Sequence, residues 1–296
     1  MKKYINILFV FLIIPFLGIA QEGDDQTAGD TIVKEKLERP AFESSFIVDN
    51  PTNVVNAKNA MEIQMEHRFG IMETWDDLGG IWGASNIRLG ATYGIHERVT
   101  LGICTQKYRR YSDVNAKVAI LRQTRSGKMP VSLTYYGNFA YNGQQQSASN
   151  PYINYPQDRY SYFHQLILAK RFSPELSLQI APSFSHYNTV YPGMQNDRIA
   201  VAIGGRYKIS PNTAILVDYS QPLTQFDLDN EEVKKLTSNH PGLSLGFEFG
   251  TSGHAFQLFV SNNWGILPQE NYVWNKNDFF SGDVLIGFNI TRIYNF

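Results

Sequence analysis

From residue 59 onward, apolar and polar side chains alternate along most of the chain. In one such segment, Leu176, Leu178 and Ile180 alternate with Ser177 and Gln179. Successive side chains of a β-strand point to opposite faces, so the alternation gives each segment one apolar and one polar face. A helix would instead scatter these apolar residues around its circumference. The pattern therefore predicts β-strands.

Twelve segments of this kind can be counted in the sequence. Most are about 9–14 residues long, whereas strands of soluble proteins typically have about 5–6 residues. A tilted strand that crosses a membrane needs about 9–11 residues. The length therefore predicts strands that cross a bilayer, with ten or fourteen strands as alternatives to twelve. The segments span 59–72, 85–95, 98–107, 113–124, 130–141, 159–172, 175–187, 197–209, 213–221, 241–250, 253–264 and 282–296.

The connections between these segments alternate between short and long. Short turns fall at 96–97, 125–128, 173–175, 210–212 and 251–253. The other connections are 73–84, 108–112, 142–158, 188–196, 222–240 and 265–281, and all but the second of them are long. Outer-membrane barrels with both termini in the periplasm have short periplasmic turns and longer extracellular loops. We therefore predict an all-β fold, a transmembrane antiparallel up-and-down β-barrel over 59–296. An exported soluble all-β protein with an aromatic core is the alternative.

The last segment also fits a barrel. Alternate residues up to the terminal position are apolar or aromatic except Arg292, and an alternating last strand with a C-terminal aromatic residue resembles the signal read by the barrel-assembly machinery. That machinery and outer-membrane lipid are the partners this interpretation predicts. The residues of the predicted signal are Phe288, Ile290, Tyr294 and Phe296.

The first twenty residues predict an exported protein. Two lysines precede an apolar run that ends in small residues before Ala20, which is typical of a secretory signal peptide. An N-terminal anchor helix is the alternative, but the apolar run is shorter than the ~20 residues of a membrane-spanning helix. We predict a signal peptide at 1–20 that is cut after Ala20, and localisation in the outer membrane. Residues 21–58 are predicted to be a partly ordered periplasmic lead, with local packing around Phe42 and Phe46 and a candidate role in binding a periplasmic protein.

Composition excludes several other classes. The formal net charge is -1 and the chain contains one cysteine. A nearly neutral chain offers no electrostatic basis for nucleic-acid binding, and a single cysteine excludes a disulfide framework. The six histidines are scattered without metal-binding spacing. We therefore predict no metal site, no cofactor and no nucleic-acid partner.

The polar faces of the strands carry charges that would line the lumen of a barrel. Eight of the twelve charged candidates are basic and four are acidic. A lattice of salt bridges that fills the interior is one interpretation, and a water-filled passage whose basic bias favours anions is the other. The candidates are Glu62, Glu66, Arg68, Arg88, Lys117, Arg159, Arg171, Arg198, Arg206, Lys208, Asp218 and Glu248.

An enzyme is not predicted. Some twelve-stranded outer-membrane barrels are phospholipases, which resemble one another in a His-x-Ser pair, and the sequence contains no such pair.

Several sequence stretches resemble an outer-membrane β-barrel family of Bacteroidota, the domain of unknown function 5777. The resemblance covers about 39–296 and implies a barrel in the outer membrane, but no activity. The stretches that carry it are 39–44 (RPAFES), 67–70 (HRFG), 85–90 (SNIRLG), 119–138 (AILRQTRSGKMPVSLTYYGN), 161–166 (SYFHQL), 204–208 (GGRYK), 221–224 (QPLT) and 287–292 (GFNITR).

Three functions follow from these predictions. The first is a porin-like passive channel for small polar solutes, with anions as candidate solutes because of the basic lumen face. The second is a structural or partner-binding barrel with a plugged lumen. It rests on residues 21–58 and on the loops at 142–158, 222–240 and 265–281, which we expect to display tyrosine, amide side chains and Trp274 outward. The third is a lipid-modifying enzyme.

Overall fold

The computed structural model describes residues 35–146, 152–191, 194–224 and 239–296. The signal peptide predicted at 1–20 therefore lies outside the described residues. So do the start of the predicted lead, part of the loop at 142–158 and most of the loop at 222–240.

Twelve antiparallel strands form a closed barrel, as the alternation predicts. Each strand pairs with the next along the chain, and the last pairs with the first to close the sheet. Two shorter strands precede them and pair only with each other: β1 (Phe46–Ile47) and β2 (Asn50–Pro51). The barrel strands are β3 (Ala60–Ile71), β4 (Asn86–His96), β5 (Val99–Gln106), β6 (Ser112–Leu121), β7 (Ser132–Tyr141), β8 (Tyr160–Arg171), β9 (Leu176–Tyr187), β10 (Asp197–Ser210), β11 (Thr213–Pro222), β12 (Gly242–Gly250), β13 (His254–Ser261) and β14 (Leu285–Asn295).

The barrel buries its polar face and exposes its apolar face. On β9, Leu178 and Ile180 are 41% and 45% exposed, whereas Ser177 and Gln179 are 2% and 3% exposed. A protein in water would bury the apolar face instead, because burial of apolar surface stabilises the folded state. This arrangement is that of a membrane barrel, and the soluble alternative is wrong.

The two ends of the barrel differ in the length of the connections between strands. Tight turns such as 211–212 lie at one end, here called the turn end, and the long connections lie at the other, the loop end. The chain enters and leaves the barrel at the turn end, where the amide of Phe296 donates to the carbonyl of Asn59 at 3.2 Å. On β14, Phe288 and Ile290 lie on the outer face, and Phe296 is 78% exposed. The assembly signal itself stays a prediction.

One turn-end connection is longer than the alternation predicts. The segment predicted at 113–124 leaves the barrel after Leu121, because the next residues pair with the chain ahead of the barrel instead. The amide of Glu38 donates to the carbonyl of Gln123 at 2.8 Å, and Leu37 bridges Thr124. The N-terminal chain thus runs along this turn before it enters the barrel.

The helices in the described ranges are short. Among the described residues, no helix is long and apolar enough to cross a bilayer. The helix α1 (Pro268–Trp274) lies in the last long connection. Single turns of 3-10 helix occur at Trp75–Asp77, Tyr108–Arg110, Pro156–Arg159 and Phe279–Ser281.

Candidate functional site

The structure places nine of the twelve charged lumen candidates in buried positions on the inner face of the barrel. The remaining three, Arg159, Arg171 and Lys208, are half-buried at or beside the ends of their strands. The nine buried candidates are Glu62, Glu66, Arg68, Arg88, Lys117, Arg198, Arg206, Asp218 and Glu248.

The buried interior has no basic bias. Among the described strand residues that are buried, five are basic and five are acidic, because Asp113 joins the predicted acidic residues. Asp113 lies four positions before Lys117 on β6, so the same period of two could have assigned it to the lumen face. These buried strand positions therefore carry no excess of positive charge that would favour anions.

Part of the segment predicted as a periplasmic lead lies inside the barrel. Residues 41–56, here called the plug, form hydrogen bonds or ion pairs with every barrel strand except β8. Towards β8, Phe46 packs in a buried cluster with Phe163. A segment that contacts all strands of a closed barrel must occupy its lumen. The expectation that this part of the lead lies in the periplasm is therefore wrong, although the predicted packing around Phe42 and Phe46 is present, since both are buried.

A polar network holds the centre of the plug. Asp49 forms an ion pair with Arg68 of β3, at 2.9 Å between Oδ1 and Nη2. The carboxylate of Asp218 on β11 accepts hydrogen bonds from the amides of Asp49 and Asn50 at 2.9 and 3.0 Å. The Asn50 side chain donates to the same carboxylate at 2.8 Å. Charge-assisted hydrogen bonds are among the stronger polar contacts in proteins, so the plug is anchored on two separate strands of the lumen wall.

A second charged cluster lies on neighbouring strands. The guanidinium of Arg88 bonds both oxygens of Asp113, at 3.1 and 2.8 Å, and Glu66 at 2.5 Å. The Arg88 side chain also lies over the ring of Phe46, 5.8 Å from its centroid. Pairing offsets the cost of burying these charges, so the cluster fills lumen space around the plug.

The last long connection also folds into the lumen. Helix α1 carries six buried residues, from Pro268 to Val273. Gln269 donates to Asn138 of β7 at 2.7 Å, and Gln106 of β5 donates to Glu270 at 2.8 Å. The expectation that the loop at 265–281 points outward is therefore wrong for this helix. Gln269 and Glu270 thus each find a neutral partner on the lumen wall, which favours the inward position.

The two inserted segments meet near the middle of the barrel. The hydroxyl of Tyr272 on α1 donates to the side-chain oxygen of Asn50 in the plug. The Tyr272 ring stacks on Phe163 of β8 with 5.6 Å between centroids. The plug and α1 thus both occupy the lumen and contact each other within it.

Above α1, at the loop end, lies a cavity of about 650 Å³, here called the vestibule. Its walls come mainly from the connections that follow β3, β5, β9 and β13, and they combine aromatic, amide and charged side chains. Trp274, which was expected to point outward, packs edge-on against Tyr191 at 5.2 Å and lines this cavity. The polar and aromatic residues of the lining are Glu73, Asp77, Tyr108, Arg109, Tyr191, Trp264, Glu270, Asn271, Trp274, Asn275, Lys276 and Asn277.

Glu270 lies at the floor of the vestibule and is almost fully buried. Burial raises the pKa of its carboxyl group, because the charged form loses hydration, while Arg109 and the Gln106 side chain act in the opposite direction. Within the described ranges, no group of three or more histidine, cysteine, aspartate or glutamate side chains is arranged to hold a metal ion.

Comparison with known proteins identifies one family. The family described as membrane bound beta barrel domain (DUF5777) matches residues 42–294. No curated protein matches the chain significantly.

Several solved structures resemble the chain at low sequence identity. The NanC porin is 8% identical over 80% of this chain and 99% of that chain, with a TM-score of 0.48. The KdgM porin is 9% identical over 80% and 99% of the two chains, with a TM-score of 0.46. The translocator domain of the autotransporter NalP from Neisseria meningitidis is 11% identical over 81% and 90%, with a TM-score of 0.34.

Proposed function

This chain belongs to the DUF5777 family of membrane-bound β-barrels, and we propose that it is an outer-membrane binding barrel whose lumen is closed to free diffusion. In this proposal the barrel carries a ligand site at its loop end. The plug and α1 form the floor of that site and separate it from the turn end.

The contact between Tyr272 of α1 and Asn50 of the plug carries this proposal. A constitutively open porin needs a continuous water-filled passage, whereas here the segments from the two ends touch. The residues at the contact are themselves bonded to the wall, Asn50 to Asp218 and Tyr272 to Gln165. Both segments are thus integrated into the barrel by specific contacts.

The charge distribution supports the same proposal. Several of the basic charges predicted to attract anions pair with acids instead, such as Arg68 with Asp49, and Arg206 with Glu248 at 2.7 Å. Paired charges provide packing and orientation and leave little field to select a passing ion.

Conductance in a planar bilayer tests the proposal. Refolded protein, checked for heat-modifiable migration on a gel, is expected to insert without stable conductance steps. An open porin would give such steps at each insertion. Stable steps from the wild-type chain would refute the closed barrel.

A gated channel is the second candidate. It is favoured by the wall that faces the plug, which is polar at many positions, among them Gln64, Gln179 and Gln257. Movement of the plug would expose a surface that water can wet. The variant Asp49→Ala leaves Arg68 without its anionic partner and is expected to produce brief openings if the barrel gates. A folded variant that stays silent would count against gating.

A further inference from the structure

The vestibule offers two aromatic surfaces on different walls. Trp264 packs edge-on against Tyr108 with 4.7 Å between ring centroids, and Trp274 packs against Tyr191 in the same way. All four rings are only half-buried. The indole nitrogen of Trp264 donates to the carbonyl of Ala84 at 3.2 Å, which fixes the orientation of that ring. Fixed, partly exposed rings can stack against the apolar faces of a ligand at little entropic cost.

Arg109 connects the two aromatic surfaces. Its guanidinium lies 4.9 Å from the ring centre of Trp274 and 5.3 Å from that of Tyr108. The positive φ of 53° at Arg109 turns the chain sharply here, and such a conformation is uncommon for residues other than glycine. A strained residue that organises two aromatic pairs is typical of a functional site rather than of a passive loop.

Polar atoms on α1 lack partners among the described protein residues. They are Oε1 of Gln269, Oε1 of Glu270, Nδ2 of Asn271 and Nε1 of Trp274. Glu270 is 2% and Asn271 5% exposed, and both side chains line the vestibule. Unpartnered atoms also occur in the packed lumen, such as Oε2 of Glu66. Those of Glu270, Asn271 and Trp274 differ because these residues line a cavity that can admit a ligand, and a buried polar atom is stabilised when it gains a partner.

The charges of the lining nearly cancel. The lining contains three acidic residues (Glu73, Asp77 and Glu270) and two basic residues (Arg109 and Lys276). A site for an anion or a cation would carry an excess of the opposite charge. The set therefore suits an uncharged ligand that both donates and accepts hydrogen bonds.

We propose that the vestibule binds a short, uncharged oligosaccharide. Hydroxyl groups both donate and accept hydrogen bonds, as the amide, carboxyl and indole groups of α1 require, and sugar rings present apolar faces to the aromatic side chains. The cavity volume of about 650 Å³ falls within the range of about 300–1,000 Å³ that is usual for small-molecule sites. The proposal rests on the proposed function, since it names the ligand class of the same loop-end site.

Tryptophan fluorescence and calorimetry of the folded full-length protein test this proposal. The detergent must carry no sugar head group, because a maltoside or glucoside would compete for the site. The probes are neutral trisaccharides, namely maltotriose, cellotriose, mannotriose and triacetylchitotriose. Trigalacturonate serves as the charged comparison and trialanine as the peptide comparison. At least one neutral trisaccharide is expected to bind saturably and to change the tryptophan emission.

Two tryptophan variants locate the binding. Trp264→Ala is expected to weaken the affinity by about tenfold or more, because it removes one aromatic surface. Trp82→Ala is the matched control, since Trp82 is 71% exposed and is not part of the vestibule lining. It should leave the affinity unchanged.

Several results would overturn the proposal. They are the absence of binding by any neutral trisaccharide to the folded wild-type chain, preference for trigalacturonate or trialanine, and binding that Trp264→Ala leaves unchanged. The wild-type titration decides the matter even if that variant fails to fold. A silent barrel that binds no sugar would refute only the ligand class, whereas a conducting barrel would refute the closed lumen whatever it binds.

Discussion

The plug and helix α1 both fill the lumen, but different forces hold them. The plug is fixed by buried charges, among them the ion pair between Asp49 and Arg68. Helix α1 is fixed by uncharged donors such as Gln106 and Gln269, and by the stacking of Tyr272 on an aromatic ring. The plug contacts the strands around the whole barrel, whereas α1 contacts only part of the wall.

This difference suggests different roles. Buried charges that lose one partner are costly, so the plug resists displacement. Neutral hydrogen bonds contribute less net stability and exchange more readily with water or a ligand. We therefore expect α1 to be the element that responds at the loop end, and the plug to be a permanent part of the fold. The family match begins at residue 42 and so includes almost the whole plug.

The largest expected effect is at the centre of the plug. Arg68→Ala leaves the buried Asp49 carboxylate without its cation, and we expect the free energy of unfolding to fall by about 3–5 kcal/mol. It also removes the contact of Arg68 with the ring of Phe259, which lies 4.5 Å away. Equilibrium unfolding in urea from detergent micelles or lipid bilayers would measure the change.

An exposed ion pair provides the control for this experiment. Lys128 lies 3.6 Å from Glu35 at the turn end, and its side chain is 82% exposed. Lys128→Ala should change the free energy of unfolding by no more than about 1 kcal/mol. If Arg68→Ala cost as little as Lys128→Ala, the plug would not be held by its charges, and the contrast with α1 would disappear.

A smaller effect is expected where the plug meets the turn end. A side chain at Gly94 of β4 would overlap the carbonyl oxygen of Ala57, just beyond the plug. Gly94→Ala should therefore destabilise the barrel by about 1–3 kcal/mol through overpacking. At Gly250 on β12 an added Cβ would have no atom within 4 Å. Gly250→Ala is expected to be neutral or slightly stabilising in the same urea titration, and equal effects at both sites would contradict this account of the plug entrance.

The barrel could be predicted from the sequence because its signal is periodic. Each strand repeats the same rule, with polar residues such as Ser177 inside and apolar residues such as Leu178 outside. The predicted strand ends differ from the observed ones by only a few residues. β6 ends early because Gln123 pairs with Glu38 instead. The alternation of apolar and polar residues does not predict that contact.

The inserted segments could not be predicted because their structure depends on distant residues. The plug has no sustained period, and Asp49 is buried only because Arg68 and Asp218 lie around it in the closed barrel. Helix α1 is seven residues long and contains polar residues such as Gln269, which read as a solvent-exposed loop. Local sequence therefore predicts the strands of the barrel wall. The positions of the plug and α1 instead depend on contacts with wall residues that are distant in the sequence.

The smallest expected effect tests whether the two inserted segments act as one unit. Tyr272→Phe removes the hydroxyl that bonds Asn50, and we expect it to lower the free energy of unfolding by about 0.5–1.5 kcal/mol. Combined with Asn50→Ala in a double-mutant cycle, it should show an interaction energy of at least about 0.5 kcal/mol, because the residues are in direct contact. The same cycle with Lys128→Ala should be additive, since no contact joins that exposed side chain to α1. An additive result for Tyr272 and Asn50 would mean that α1 can move without the plug. A coupled result would mean that a ligand which shifts α1 also changes the stability of the plug, and so carries a signal from the loop end towards the turn end.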